Sequence, residues 1–288
     1  MKKKLIKEDS NKFYLYNPIP IVKQEAVEVI KRVLRVHGVS FEFGKTADLN
    51  QLDAVNKMRM KDYINRIVKY KEIRGHSFEG LMCGIYNGDL NTDKSGSWDY
   101  KVDIGTVEQK YIEDDGESPV IGGYKNVFSK LTEESIRTIQ NVISRYSETN
   151  IFLIEDPDIT EIKKEILFYM IADVVCISTR LPGKIRNYYF TKDQFIETFS
   201  KASNCSAPKQ KGANQLRIKS SSIRSEGVTF DIIIPRISQK EYDEYLTVNQ
   251  QENDISKIFG PFSGKIRPDI LKWIKDNKNT FKDLVNSI

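Results

Sequence analysis

A chain of 288 residues with 39% apolar and 30% charged side chains has the length to bury a full core and the composition of a folded globular protein, not a disordered one. Its formal net charge of +5 is compatible with a nucleic-acid partner without establishing one. No apolar run reaches bilayer length, and the basic start from Met1 to Asp9 lacks the apolar segment of a signal peptide. Three scattered cysteines (Cys83, Cys176, Cys205) and two histidines argue against both a disulfide framework and a Cys/His metal site. Such cysteine usage predicts a reducing cytoplasm. Any metal would then be held by oxygen ligands, which suits magnesium or, alternatively, manganese.

In chain order, Lys23 to Val36 has helical spacing of Val27, Ile30, Val33 and Leu34, and Gly38 is placed to stop that helix. Asp48 to Ile73 reads as a long basic helix or helix pair, and after an interruption at Gly75 a further apolar helix begins at Ser77. Residues 87 to 97 read as a loop, 98 to 112 as a strand hairpin, and 113 to 126 as another loop. Leu131 to Tyr146 is predicted helical, opened by Thr132 with Glu133 and Glu134 in its first turn. Ile151 to Ile154 is expected to be a short strand and Asp158 to Ile171 a helix. Asp173 to Ser178 reads as a buried strand, partnered by Lys184 to Phe190 after the Leu181-Pro-Gly turn. A helix over 193 to 201, a loop over 202 to 213, strands at 215 to 219 and 228 to 235, and an amphipathic helix over 268 to 285 with Trp273 complete the reading. Helices, a hairpin, then alternating helices and strands predict an α/β or α+β fold, with a mixed central sheet flanked by helices.

The hairpin carries the chemistry. In Trp98-Asp-Tyr-Lys-Val-Asp-Ile-Gly-Thr-Val-Glu-Gln-Lys-Tyr-Ile112, charged residues alternate with apolar ones, so side chains two apart share a face. Glu108 and Lys110 therefore point the same way. With Ile104-Gly105 as the two-residue turn, Asp99 is expected opposite Lys110 and Lys101 opposite Glu108. Two carboxylates and an ammonium on rigid strands can bind a divalent cation and offer a lysine to a phosphate, as a metal-dependent nuclease requires. The acid-x-Lys pattern occurs four times, at Asp99, Glu108, Glu161 and Asp276, but only the first two fall on strand-like sequence. An exposed hairpin with ordinary Lys and Glu pairs is the plain alternative. Arg217, Lys219 and Arg224 on the later basic strands, with Lys101, are candidate phosphate contacts or simply a solvated face.

With these residues in place, the chain resembles the PD-(D/E)xK nuclease superfamily, whose fold is that of the restriction endonucleases. An aspartate near the start of one strand precedes Glu-x-Lys on the next, and here Asp99 and Glu108-Gln-Lys110 take those places. Trp98 stands where the family has proline. A second register, with Asp89 as first acid and Asp99-Tyr-Lys101 as the motif, stays open. The resemblance implies Asp99, Glu108 and Lys110 as catalytic residues. It implies Asp99, Glu108, the Gln109 carbonyl and a preceding helical glutamate, matched by Glu79, as ligands of magnesium. Glu79 is alternatively a favourable charge at a helix start. It further implies a nuclease-like core over 75 to 205 and leaves both ends unassigned, where the residues themselves read as a helical N-terminal region over 1 to 74 and C-terminal strands and helix over 206 to 288. DNA is the implied partner, and a homodimer is one way to cut both strands. The competing reading is a nucleic-acid-binding or viral structural protein of the same fold that does not cut.

Overall fold

A computed structural model describes residues 19–69, 74–91, 98–113, 118–146, 149–210 and 214–241, which fall into two compact units. The first comprises the described residues of Met1–Phe41, Ala47–Asn87 and Ile232–Ile288. Helix α1 (Ile19–Val36) buries Val27, Ile30 and Leu34, and the chain leaves it through Gly38 at φ 62°. Strand β1 (Ala47–Asp48) leads into a 3₁₀ turn, Leu49–Gln51, whose Asn50 N–H donates to the Asp48 carboxylate at 3.0 Å. The helix expected from Asp48 thus begins only at α2 (Ala54–Lys69), where Asp53 Oδ1 accepts the Asn56 N–H at 2.8 Å. Helix α3 (Arg74–Ile85) is buried from Phe78 onward, with Gly75 in its first turn and not interrupting it. A Cβ on Gly84 would lie 2.8 Å from the Ile30 Cβ, so α1 and α3 approach as closely as they do only because that position is glycine.

The second unit, Glu42–Thr46 with Gly88–Asp231, carries the larger part of the sheet. Strands β2 (Asp89–Leu90), β3 (Tyr100–Val102) and β4 (Gly105–Ile112) form an antiparallel ladder. Then come β5 (Val120–Gly123), a 3₁₀ segment (Tyr124–Lys130), α4 (Glu133–Tyr146), a 3₁₀ turn (Ile151–Leu153) and α5 (Pro157–Met170). Strand β6 (Val174–Leu181) runs parallel to β4 after this helical crossover, and β7 (Lys184–Thr191) returns antiparallel to it. Helix α6 (Lys192–Phe199), β8 (Gln215–Arg217), α7 (Ser220–Glu226) and β9 (Val228–Ile233) follow. The sheet is mixed, with order β1-β9-β7-β6-β4-β3-β2. Ile232 and Ile233, at the end of β9, belong to the first unit, where they pair in parallel with β1.

Unbroken burial from Val174 to Thr179 marks β6 as a central strand. One face of the sheet (Ile112, Val175, Ile177, Tyr188, Phe190) packs under Ile139 and Val142 of α4, Ile159, Ile162 and Ile166 of α5, and Phe195 and Phe199 of α6. On the other face Tyr189 meets Phe43 and Phe230 edge-on, with ring centroids 5.8 and 5.7 Å away.

Helices flank a mixed sheet, as the order of sequence elements predicts. Three local expectations are corrected. Residues 120 to 123, expected in a loop, form β5 and pair antiparallel with β8 in a separate two-stranded sheet. Ile151 to Leu153 is a 3₁₀ turn and not a strand, because the Asn150 side chain accepts the Phe152 N–H and closes the turn. Between the two basic strands the chain forms α7, and β8 and β9 lie in different sheets. The helix expected over 268 to 285 lies outside the described residues. Among the described residues no helix is long and apolar enough to cross a membrane.

Candidate active site

The β3–β4 hairpin turns at Asp103 and Ile104, not at Ile104 and Gly105. Gly105 is the first residue of β4, at φ 128°, and a Cβ there would stand 2.9 Å from the Asp173 carboxylate. That carboxylate accepts hydrogen bonds from the Thr106 N–H at 2.9 Å and the Thr106 hydroxyl at 2.7 Å. The clamp fixes where the strand begins and hence the register. Tyr100 faces Val107 and Lys101 faces Thr106, and the Asp99 N–H donates to the Val107 carbonyl at 2.8 Å, so Asp99 meets the strand at Val107, next to Glu108, and the expected pairings of Asp99 with Lys110 and Lys101 with Glu108 are replaced. The one-residue change in the turn ties Asp99 to Val107 and Gln109, the two neighbours of Glu108.

On β4, Thr106, Glu108 and Lys110 share one face and Val107 and Gln109 the other. Parallel pairing sets Glu108 beside Val175 and Lys110 beside Ile177, both fully buried. Glu108 is therefore a carboxylate at the margin of an apolar core, with its side chain only 16% exposed. This burial raises its pKa above the ordinary carboxylate value. The neighbouring charge of Asp99 raises it further, and Lys110, in direct ion pair with Glu108, offsets part of the rise. Asp99 uses Oδ2 to accept the Gln109 N–H at 2.8 Å, in the place of a ladder carbonyl, and so is tied to the strand that carries Glu108.

The opposite face of β4 explains how the site is held rigid. The Gln109 side chain is 3% exposed; its amide oxygen accepts the Tyr100 hydroxyl at 2.9 Å and its amide nitrogen donates to Ser178 Oγ at 2.8 Å. Ser178 Oγ bonds Asn187 Oδ1 at 2.5 Å, and Asn187 Nδ2 donates to the Phe230 carbonyl at 3.3 Å. The row crosses β3, β4, β6, β7 and β9 beneath the acids. Sequence reasoning missed it, although Ser178 and Asn187 in otherwise apolar strands are its visible signal. For Gln109, expected as a ligand through its main-chain carbonyl, the side chain itself points away from the acids.

The remaining expected residues are distributed as follows. Glu79 is buried in α3 of the first unit, beyond the helix's first turn, which removes the helix-start reading. Lys101 is exposed on the face shared with Thr106 and Glu108. Asp89 stands opposite Lys101 on the edge strand β2. Arg217 donates from Nη1 to the Ser118 carbonyl at 3.0 Å, and Lys219 donates to the Ser203 carbonyl at 2.6 Å as the residue that caps α7. Arg224 lies on α7 itself and not on a strand. The three are thus not a common basic strand face.

Asp99 and Glu108 supply hard, anionic oxygen donors from two adjacent strands. Among the described residues no group of three or more acidic, histidine or cysteine side chains converges. Two carboxylates suit magnesium, which keeps several waters and takes the rest of its ligands from substrate phosphate. Comparison of the chain with protein-family models, with curated proteins and with solved structures found no match.

Proposed function

We propose that the protein is a magnesium-dependent endonuclease that hydrolyses DNA phosphodiester bonds at the Asp99, Glu108 and Lys110 site, with the architecture of the PD-(D/E)xK nucleases. The observation that carries this reading is that Asp99, bonded to β4 on both sides of Glu108 through the Val107 carbonyl and the Gln109 N–H, brings its charge to bear on Glu108, which is ion-paired with Lys110. Asp99 and Glu108 would hold the cation, which when bound acidifies water and neutralises charge on the scissile phosphate. Glu108 must be ionised for this, and its ion pair with Lys110 favours that state against burial. Lys110, on leaving Glu108, places a positive charge where it can orient the attacking water or meet the phosphate oxygen. Asp99 keeps its orientation through the Gln109 amide.

The test is cleavage of plasmid DNA with magnesium and then with EDTA. Lys110→Ala and Glu108→Ala are each expected to lose cleavage by about a hundredfold or more while retaining the wild-type circular dichroism spectrum. Full activity in both variants would remove the hairpin from the chemistry. One observation favours the second reading, a nucleic-acid binder that does not cut: Glu108 is already neutralised by Lys110. Salt-sensitive DNA binding without cleavage is its signature.

A further inference from the structure

Two aromatic side chains lie exposed next to each other at the end of α5. Phe168 is 53% and Tyr169 38% exposed, with ring centroids 5.4 Å apart and planes at 86°. The buried face of α5 is already supplied by Ile159, Ile162, Ile166 and Leu167, so these two rings add little to the core. The Lys192 ammonium stands 4.1 Å from the centre of the Phe168 ring. Exposed rings with a cation over one of them are the elements by which proteins hold unpaired bases: bases stack on the rings and the ammonium attracts the phosphates between them.

Their position relates them to the acids. The Lys192 N–H donates to the Asp173 carbonyl at 2.8 Å, and the Asp173 carboxylate holds Thr106. Thr106 precedes Glu108 by two residues on the same side of β4, about 7 Å along the strand. Both α5 and α6 cover the face from which Glu108 and Lys110 project. Exposed Lys101 lies opposite Thr106, and its charge and that of Lys192 both act on Asp173. On the two helices Glu161 and Glu197 are paired with Lys164 at 3.1 and 3.3 Å, and Glu165, one turn before the rings, accepts the Ser135 hydroxyl at 2.6 Å. Lys101 and Lys192 thus both attend Asp173, which joins the strand of the acids to the residue that lies over the Phe168 ring.

We propose that Phe168, Tyr169 and Lys192 form a stacking subsite for unpaired bases of the DNA strand that enters the acidic site. The preferred substrate is then DNA with a single-stranded segment, not a fully paired duplex. This rests on the nuclease reading for the direction of the strand, but its binding test does not depend on cleavage. Fluorescence anisotropy in EDTA would compare three labelled probes: a duplex with a short single-stranded overhang, the same duplex with an abasic overhang, and a blunt duplex. The wild-type chain is expected to bind the base-bearing overhang on the order of tenfold more tightly than the other two. Phe168→Ala with Tyr169→Ala should erase that preference and leave blunt-duplex affinity unchanged, and Phe168→Trp should preserve it. Equal affinity of the wild type for all three probes, absence of DNA binding, or a preference surviving the double substitution would each overturn the subsite. Magnesium-dependent cleavage, compared between wild type and Glu108→Ala, judges the nuclease reading separately.

Discussion

Glu108 is the residue on which opposing forces meet. Burial beside Val175 and the charge of Asp99 disfavour its ionised form, and Lys110 favours it, with a net rise in pKa. The sign of the consequence follows from linkage. A carboxyl whose folded pKa exceeds its unfolded value contributes stability below the unfolded value, and that contribution is lost as pH rises through the folded value. The ionised side chain is therefore a burden on the fold at neutral and alkaline pH, carried for the sake of the site. Glu108→Gln keeps the shape and removes the charge, so thermal denaturation should show a higher Tm than wild type at pH 8 and little difference near pH 4. A lower Tm at pH 8 would mean that the Lys110 ion pair outweighs burial.

At the level of the element, the hairpin shows what a sequence discloses and what it withholds. Alternation between Val107 and Ile112 identifies the strand and puts Glu108 and Lys110 on one face, because the two-residue period is local. The turn is not local: Asp173, far along the chain, holds Thr106 and leaves no space for a side chain at residue 105. A reading confined to residues 98 to 112 has no access to that clamp, and so misplaces the turn by one residue and the cross-strand partner of Asp99 with it. Gln109 was hidden for a similar reason, since its partners Ser178 and Asn187 arrive from strands that pair only in the folded sheet. Asn150 likewise overrode the β-forming tendency of Ile151 and Phe152 through one side-chain bond. Gly105→Ala tests the clamp. It forces a side chain into a positive-φ position against Asp173, and should cost about 2 kcal/mol or more in denaturant unfolding. It should also weaken amide protection at Thr106. A loss below about 0.5 kcal/mol would show that the strand start can shift and that the register is held elsewhere.

At the level of the whole molecule, the two compact units are not consecutive in sequence. The chain enters the second unit for Glu42 to Thr46, leaves it, returns at Gly88 and departs again after Asp231. The short first visit has a physical purpose. Phe43 is 6% exposed and packs edge-on against Phe230 at 5.1 Å and Tyr189 at 5.8 Å, closing the sheet face opposite the helices. The Thr46 hydroxyl accepts the Asp231 N–H at 3.4 Å, and Asp231 in turn binds Arg186 and Lys184 of β7. Through Phe43 this distant segment completes the side of the sheet on which Gln109, Ser178 and Asn187 are buried, and through Thr46 it holds the end of β9. Phe43→Ala should remove about 3 kcal/mol, as truncation of a buried phenylalanine does. Because the lost contacts belong to β7 and β9, hydrogen exchange should quicken at amides of residues 185 to 191 and 228 to 231, far from the substituted position in sequence. The Gln109 amide, bonded to Asp99, should follow if the polar row transmits the loosening from β7 through Asn187 and Ser178 to β4. Exchange that changed only between residues 41 and 47 would show instead that Phe43 secures its own segment alone, and that the acids keep their geometry without it.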